Sequence, residues 1–477
     1  MKTLTKTAAL LSVGLLSACS MAPTYERPAA PVAASYPADS AGAASRTSAT
    51  LPLPANAKAP VDTGWREYFS DEALRQLIAA ALENNRDLRT AVLRIDEARA
   101  QYNIQSADRL PNLNASFSDA RAKTPAYLSG SGQSTIGQRY DVGVSVSSFE
   151  LDFFGRVKSL NDAALASYLA TEEARQAAQI ALVAQVAQAF YTERSYAEQY
   201  ALAQQTYEAR ARSYRLTQQR AEAGASSRLD LRSNETLMET ARAAALTLAR
   251  QRAQAQNTLT LLVGQPQGRA AGAMPTDAQL DSLSALPEGL PSDLLARRPD
   301  IRAAEQRLKA ANASIGAARA AFFPRIGLTA ALGSSSPSLH GLFDSGSGSW
   351  SFAPQLTLPI FDAGRNRANL TLSEVRKNLA VADYEKTVQT AFREVADALA
   401  ARDYLGEQVN AQRAVQDAQA DRLKLLQLRF DNGVANALDV LDAQRELFSA
   451  QQTLVQARLL RTTTAIDLYR ALGGGIK

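Results

Sequence analysis

Of the side chains that carry most enzymatic and metal chemistry, this 477-residue chain holds one histidine, His340, and one cysteine, Cys19. A zinc site needs several such ligands at fixed spacing, and two residues this far apart in sequence do not supply it. No glycine loop of the phosphate-cradling kind is present, and no nucleophile elbow sets a serine on a sharp turn. His340 falls in a run of Gly and Ser, the surroundings of a solvated loop residue. Carboxylates are plentiful, yet no pair stands out as acid and base. The chain is therefore not expected to be an enzyme or to hold a metal or organic cofactor.

The one reactive group with a telling context is Cys19. It ends Leu16-Ser17-Ala18-Cys19, after Lys2, Lys6 and the apolar run Ala8 to Leu16. That run is too short to span a bilayer and reads as a secretory signal over residues 1–18. The tetrad resembles a bacterial lipobox, in which the cysteine becomes the first mature residue and is acylated. A covalent acyl or diacylglycerol lipid on Cys19 is thus expected, and Ser20 in the next position fits sorting to the outer membrane. An ordinary signal with a chance cysteine is the alternative. Without a second cysteine no intrachain disulfide can form.

Net charge is +5 with acids and bases well mixed, so no basic tract points to nucleic acid. Hydrophobic residues make up 46%, dominated by alanine, and aromatics only 6%. Such a composition favours long, closely packed helices over a bulky core.

The elements that position these residues are written twice. Phe154-Gly155-Arg156 returns as Ala363-Gly364-Arg365, Gly224 as Gly433, and Leu262-Val263-Gly264 as Ala471-Leu472-Gly473; 364 − 155, 433 − 224 and 473 − 264 all give 209. Upstream, Arg109-Leu110-Pro111 answers to Phe322-Phe323-Pro324 at an offset of 324 − 111 = 213. A unit this long is not a short-period solenoid but a duplicated module. Between Gly155 and Gly224 neither Pro nor Gly interrupts the chain. Ile180, Val183, Ala187 and Phe190 keep helical spacing there, as do Val388, Phe392, Val395 and Leu399 in the second copy. Leu438, Leu441, Arg445, Phe448, Gln452, Val455 and Leu459 continue it, a coiled-coil signature. Each long helix is expected to reverse at Gly224 or Gly433.

Between the helices the period changes to two. Leu113, Ala115 and Phe117 alternate with Asn and Ser, and Val142, Val144 and Val146 with Gly and Ser. Ile326, Leu328, Ala330 and Leu332, then Trp350, Phe352, Leu356 and Leu358, repeat the pattern. These are two hairpins with one apolar and one small-polar face, in strands of about 9–11 residues, enough to cross a bilayer when tilted. Four strands cannot close a barrel, which takes about eight. Either the hairpins pack on a soluble core, or several chains pool them; three chains would supply twelve.

Several longer runs carry a resemblance. Gly64-Trp65-Arg-Glu-Tyr-Phe69, Leu82-Glu-Asn-Asn-Arg-Asp-Leu88, Leu290 to Ile301, Ala310 to Pro324 and Leu441-Asp-Ala-Gln-Arg445 are similar to the outer membrane factor family. The likeness runs from Cys19 to Gly475 and is strongest to the OprM-type lipoproteins, with TolC more distant. It implies a fold class that is mainly α with membrane β. A homotrimer would form a twelve-stranded outer-membrane barrel, four strands per chain, continuous with a coiled-coil helical barrel through the periplasm. It also implies two partners, an inner-membrane pump of the resistance-nodulation-division class and a periplasmic adaptor.

On that template, residues 19–64 are a lipidated extended leader. Segments 65–111 and 292–324 carry the shorter helices, 112–150 and 325–361 the barrel hairpins, and 151–264 and 362–473 the long helix pairs. Residues 265–291 form an irregular equatorial connector and 474–477 the tail. The resemblance puts a periplasmic gate at Leu438 and Asp442, with Arg445 beside them; steps of four and three place all three on one helical face. Three Leu438 side chains would narrow a pore, and three Asp442 carboxylates would ring it. Leu229 and Ser233 are the first-repeat equivalents, so the ring would be threefold. The plainer reading makes Leu438 coiled-coil core and Asp442 a surface charge. The turns at Gly224 and Gly433 would meet the adaptor, or simply end helices.

The expected function is a passive exit duct for drugs and other small toxic compounds. The same channel in type I secretion or metal efflux is an alternative, though only four methionines argue against metals. A pore-less lipoprotein scaffold is another.

Overall fold

A computed structural model describes residues 20–33, 36, 62–130, 132–266, 274–284 and 297–476. The signal segment, Cys19, most of the leader and much of the connector lie outside the described residues. In chain order the elements are α1 (Trp65–Tyr68), α2 (Glu72–Asn84), α3 (Arg86–Ala107), β1 (Leu113–Thr124), β2 (Thr135–Leu151), α4 (Arg156–Glu222), α5 (Arg228–Val263), α6 (Asp277–Ser284), α7 (Pro299–Ala320), β3 (Arg325–Ser336), β4 (Gly348–Thr357), α8 (Arg365–Asp431) and α9 (Ala437–Ala471). The described residues fall into two compact units. One takes in 20–29, Arg94–Glu172 and Ala303–Glu385; the other takes in the described parts of Ala30–Leu93, Glu173–Arg302 and Lys386–Lys477.

The first unit contains one antiparallel sheet in the order β1-β2-β3-β4. Its register lines up the alternating residues into rows: Ala115, Val144, Leu332 and Trp350 in one, Leu113, Val146, Ala330 and Phe352 in the next. The rows between them read Asn114, Ser145, Ala331, Ser351 and Ser116, Gly143, Gly333, Ser349. One face is therefore apolar across all four strands and the other small and polar. Gly143 and Gly333 face each other, and a Cβ on Gly143 would stand 2.7 Å from the Leu332 carbonyl oxygen, so the strands meet here only as glycine. A bulge between Val146 and Phe149, with Ser148 at φ 55, bends β2 before it continues along β3.

The strands are longer than the period suggests. β1 and β3 have 12 residues and β2 has 17. Pairing continues through Arg139 and Ser334 to Ser336, into stretches whose Gly and Ser content reads as loop, because the neighbouring strand satisfies their backbone groups whatever their side chains.

Most of α4 and most of α8 lie in the second unit. Each has 67 residues, about 100 Å of helix at full length. Val183, Ala187 and Phe190 are buried as their spacing requires, and so are Val388, Val395 and Leu399. In α9 the buried stripe is Val440, Ala443, Ala450, Leu454 and Ala457; of the stripe expected from Leu438 to Leu459, Val455 is buried and Leu438 is exposed. Both stripes keep helical steps, so periodicity alone could not choose between them.

The connector also departs from expectation: it carries α6, whose Leu280 and Leu283 are buried. The Tyr68 hydroxyl lies 3.0 Å from the carbonyl oxygens of both Leu283 and Ala465, and its ring stacks on Tyr469 at 3.9 Å. Tyr469 in turn donates to the Thr63 carbonyl at 2.7 Å. The Trp-Arg-Glu-Tyr-Phe run thus ties the start of the body to α6 and to the last helix.

Candidate functional site

Each long helix pair turns in the same way. Gly224 and Gly433 adopt φ of +73 and +72, the left-handed region in which a Cβ is strained. The Ala225 amide donates to the Arg220 carbonyl at 2.7 Å and the Val434 amide to that of Arg429 at 2.8 Å, closing both helix ends. Three residues past each glycine the next helix starts with a capping box, Ser227 with Asp230 and Asn436 with Asp439. The turn is built wholly from local chemistry, and the duplication preserves it.

What the two turns carry differs. Leu438 is 65% exposed and its first-repeat equivalent Leu229 is 75% exposed, so neither is core within its own chain. Asp442 lies one turn further along α9, half-buried, and accepts from Arg445 Nη2 at 2.5 Å. Arg422 on α8 approaches its other oxygen at 3.6 Å, across the hairpin. Arg445 also reaches Glu446 at 3.1 Å. Leu438, Asp442 and Arg445 therefore do share a face, and the carboxylate is bracketed by two guanidinium groups.

In the first repeat the matching level is neutral: Ser213 donates to Asn234 at 3.1 Å, and Asn234 donates to the Asp230 carbonyl at 2.9 Å. Ser233 stands where Asp442 does. Arg210 of α4, only 5% exposed, donates to the Leu237 carbonyl, one turn further along α5, at 3.0 Å. Burial and the charge of Arg445 both push the Arg210 guanidinium below its usual range.

Arg422 and Arg210 were not singled out in the sequence. For Arg422 a signal existed, since it and Asp442 are opposite charges placed almost evenly about Gly433. For Arg210 none did. Next to Arg422 a groove of about 550 Å³ opens among Asp421, Leu425, Leu426, Arg429 and Asp439. His340 is an exposed loop residue, and Cys19 lies outside the described residues.

The second feature with functional meaning is the sheet. Its apolar rows are exposed: Trp350 is 77% exposed, and Phe117, Leu332, Phe352 and Leu356 are exposed too. No described helix is long and apolar enough to cross a membrane. A surface of this kind is an interaction face and not a failed core.

The model of the outer membrane efflux protein family matches residues 77–265 and 290–474, one stretch in each repeat. The chain is 50% identical to the outer membrane protein OprJ of Pseudomonas aeruginosa over 468 residues, 98% of this chain and 95% of that one. It is 46% identical to the toluene efflux pump outer membrane protein TtgC of Pseudomonas putida, over 97% of this chain and 93% of the relative. Among solved structures, the open state of the MtrE outer membrane channel of Neisseria gonorrhoeae superposes with a TM-score of 0.84 at 41% identity, covering 96% and 99% of the two chains. The fold class read from the sequence holds, with its duplicated module, long helix pairs and four strands per chain, as in the trimeric channel-tunnels of this kind. An exposed apolar sheet face with open edges and a repeat that pairs it with very long helices are what such a channel needs, and this chain belongs to the outer membrane efflux protein family, as the outer-membrane channel component of an efflux system.

Proposed function

We propose that three copies of the chain form the exit duct of a tripartite pump. Each copy gives four strands to a barrel whose apolar rows face lipid and whose small polar rows face the lumen. The observation behind this is the sheet: one whole face is apolar and exposed, and β1 and β4 are edges whose backbone groups need partners in lipid. Pooling three sheets satisfies every edge. Cys19 carries the lipid, and transport is passive, driven by an inner-membrane pump through a periplasmic adaptor that meets the turns at Gly224 and Gly433. Relatives are named for toluene, solvent and antibiotic efflux, so the cargo is small, largely apolar compounds.

Leu438, Asp442 and Arg445 from three chains close the periplasmic end. The Arg422 and Arg445 contacts hold each carboxylate in place, and a partner opens the end by binding the open arrangement more tightly. The test is electrical and phenotypic together. Purified protein should form channels in planar bilayers, and deletion of the gene should sensitise cells to lipophilic antibiotics. A scaffold without a pore would give neither current nor sensitisation.

A further inference from the structure

Residues 20–29 lie on the body and do not hang from it. The Glu305 carboxylate of α7 accepts from Arg27 through both oxygens, at 3.2 and 2.8 Å, and from the Tyr25 hydroxyl at 3.2 Å. Lys309, one turn on, pairs with the same carboxylate at 3.2 Å and lies over the Tyr25 ring at 5.3 Å. Asn312 donates to the Pro23 carbonyl at 2.7 Å. At Gly316 the two backbones touch: a Cβ there would stand 2.7 Å from the Ala22 nitrogen. Glu305 is 5% exposed, and Tyr384 of α8 is fully buried with its hydroxyl unpartnered beside the charges of Arg27 and Glu305.

Glu305, Lys309, Asn312 and Gly316 follow steps of four, three and four, one stripe down the helix. Helix α3 is the same element in the first repeat, with 22 residues like α7. At the matching offset of 213 (305 − 92, 309 − 96, 312 − 99, 316 − 103) it has Val92, Asp96, Arg99 and Asn103. The first copy lacks the carboxylate, reverses the cation and blocks the glycine approach. Only one copy of the duplicated helix has these features, so they are not a requirement of the shared fold.

We infer that this stripe of α7 is a peptide-binding groove, specific for an extended segment with a Pro-x-Tyr-x-Arg pattern and filled in cis by Pro23 to Arg27. The buried carboxylate reads the arginine as a bidentate pair and the tyrosine hydroxyl as a second donor. Asn312 reads a backbone carbonyl, which fixes register. The groove makes the N-terminal segment part of the folded body and sets the point from which the remaining residues run to Cys19.

The full chain in detergent, labelled with a nitroxide on the exposed Thr24→Cys, reports docking as spin-label mobility. The label should be immobile in the parent and mobile in Arg27→Gln and in Glu305→Gln, with trimer yield and helix content as folding controls. A synthetic peptide of residues 20–33 separates the two variants. It should bind Arg27→Gln, whose groove is intact and whose own strap is weakened, at least tenfold tighter than Glu305→Gln. Asn312→Ser supplies a milder groove variant if Glu305→Gln does not fold; it too should free the label and refuse the peptide. An immobile label in every variant, or peptide binding that is equal in strap and groove variants, overturns the assignment and leaves simple packing.

Discussion

At the scale of single residues, the gate proposal rests on side chains that their own chain leaves exposed. Leu438→Ser together with Asp442→Ala removes the apolar contacts and the carboxylates at once. Single-channel conductance should rise severalfold, and cells should admit large antibiotics such as vancomycin. Asp442→Asn alone should shift cation preference more than pore size. Unchanged current and selectivity in the double variant, with normal trimer yield, would place the constriction elsewhere.

A pH response belongs to Glu305. Burial by itself raises its carboxyl, but the hydrogen bonds and charges of Lys309 and Arg27 outweigh that and hold it below the ordinary carboxylate range. A carboxylate lowered in the fold contributes stability above its unfolded value of ~4.3 and loses it as pH falls through the lowered value. The groups facing it are Tyr25, Arg27, Lys309 and Tyr384. A label at position 24 should therefore stay immobile from about pH 8 to about pH 5 and loosen only below about pH 4.

At the scale of elements, the ends of the helices decide where the chain turns. Ser227 and Asn436 each accept from a first-turn amide of the helix they cap, so Ser227→Ala or Asn436→Ala should cost about 1 kcal/mol of local stability. Amide exchange at the start of α5 or α9 would measure it. Gly264 is less forgiving. It sits at φ +79, and an added Cβ would collide with the Asn84 carbonyl at the end of α2, beside Asn85, which donates to the Leu262 carbonyl. Gly264→Ala should cost about 2–3 kcal/mol through strain and displacement, visible as a lower melting temperature. An unaltered melting curve would mean that α2 moves aside freely.

At the scale of the molecule, the two faces of the sheet should respond in opposite ways. Val144 lies in an apolar row and its neighbour Ser145 in a polar one. Val144→Arg should cost about 2–4 kcal/mol near mid-bilayer and reduce membrane insertion, whereas Ser145→Arg should insert normally and change conductance. Equal insertion of both variants would contradict the facing assigned to the strands. Anchoring separates from folding in the same spirit. A single acyl chain binds membranes only marginally, so Cys19→Ala should still fractionate with the outer membrane by virtue of its barrel. Release of correctly assembled trimer into the periplasm would argue that the lipid alone holds it.

Much of this was legible in the sequence, because it is local. Alternation at period two put Ala115, Val144 and Trp350 on one face before any register was known, and the glycines at 224 and 433 marked helix ends that four or five neighbouring residues suffice to build. The duplication exposed the rest of the plan by repeating it. Leu438, Asp442 and Arg445 came from the family likeness and from helical steps, and their shared face follows from those steps alone. Other features needed the tertiary structure, because they depend on partners remote in sequence. Backbone pairing of β2 with β3 extended strands into serine and glycine stretches that no side-chain period signals. Of the two helical stripes on α9, only packing against its neighbours selects Val440 and Ala443 and leaves Leu438 outside. Arg422 meets Asp442 because two helices run antiparallel, and Pro23 to Arg27 find α7 because a buried carboxylate nearly three hundred residues away lacks enough partners on its own helix.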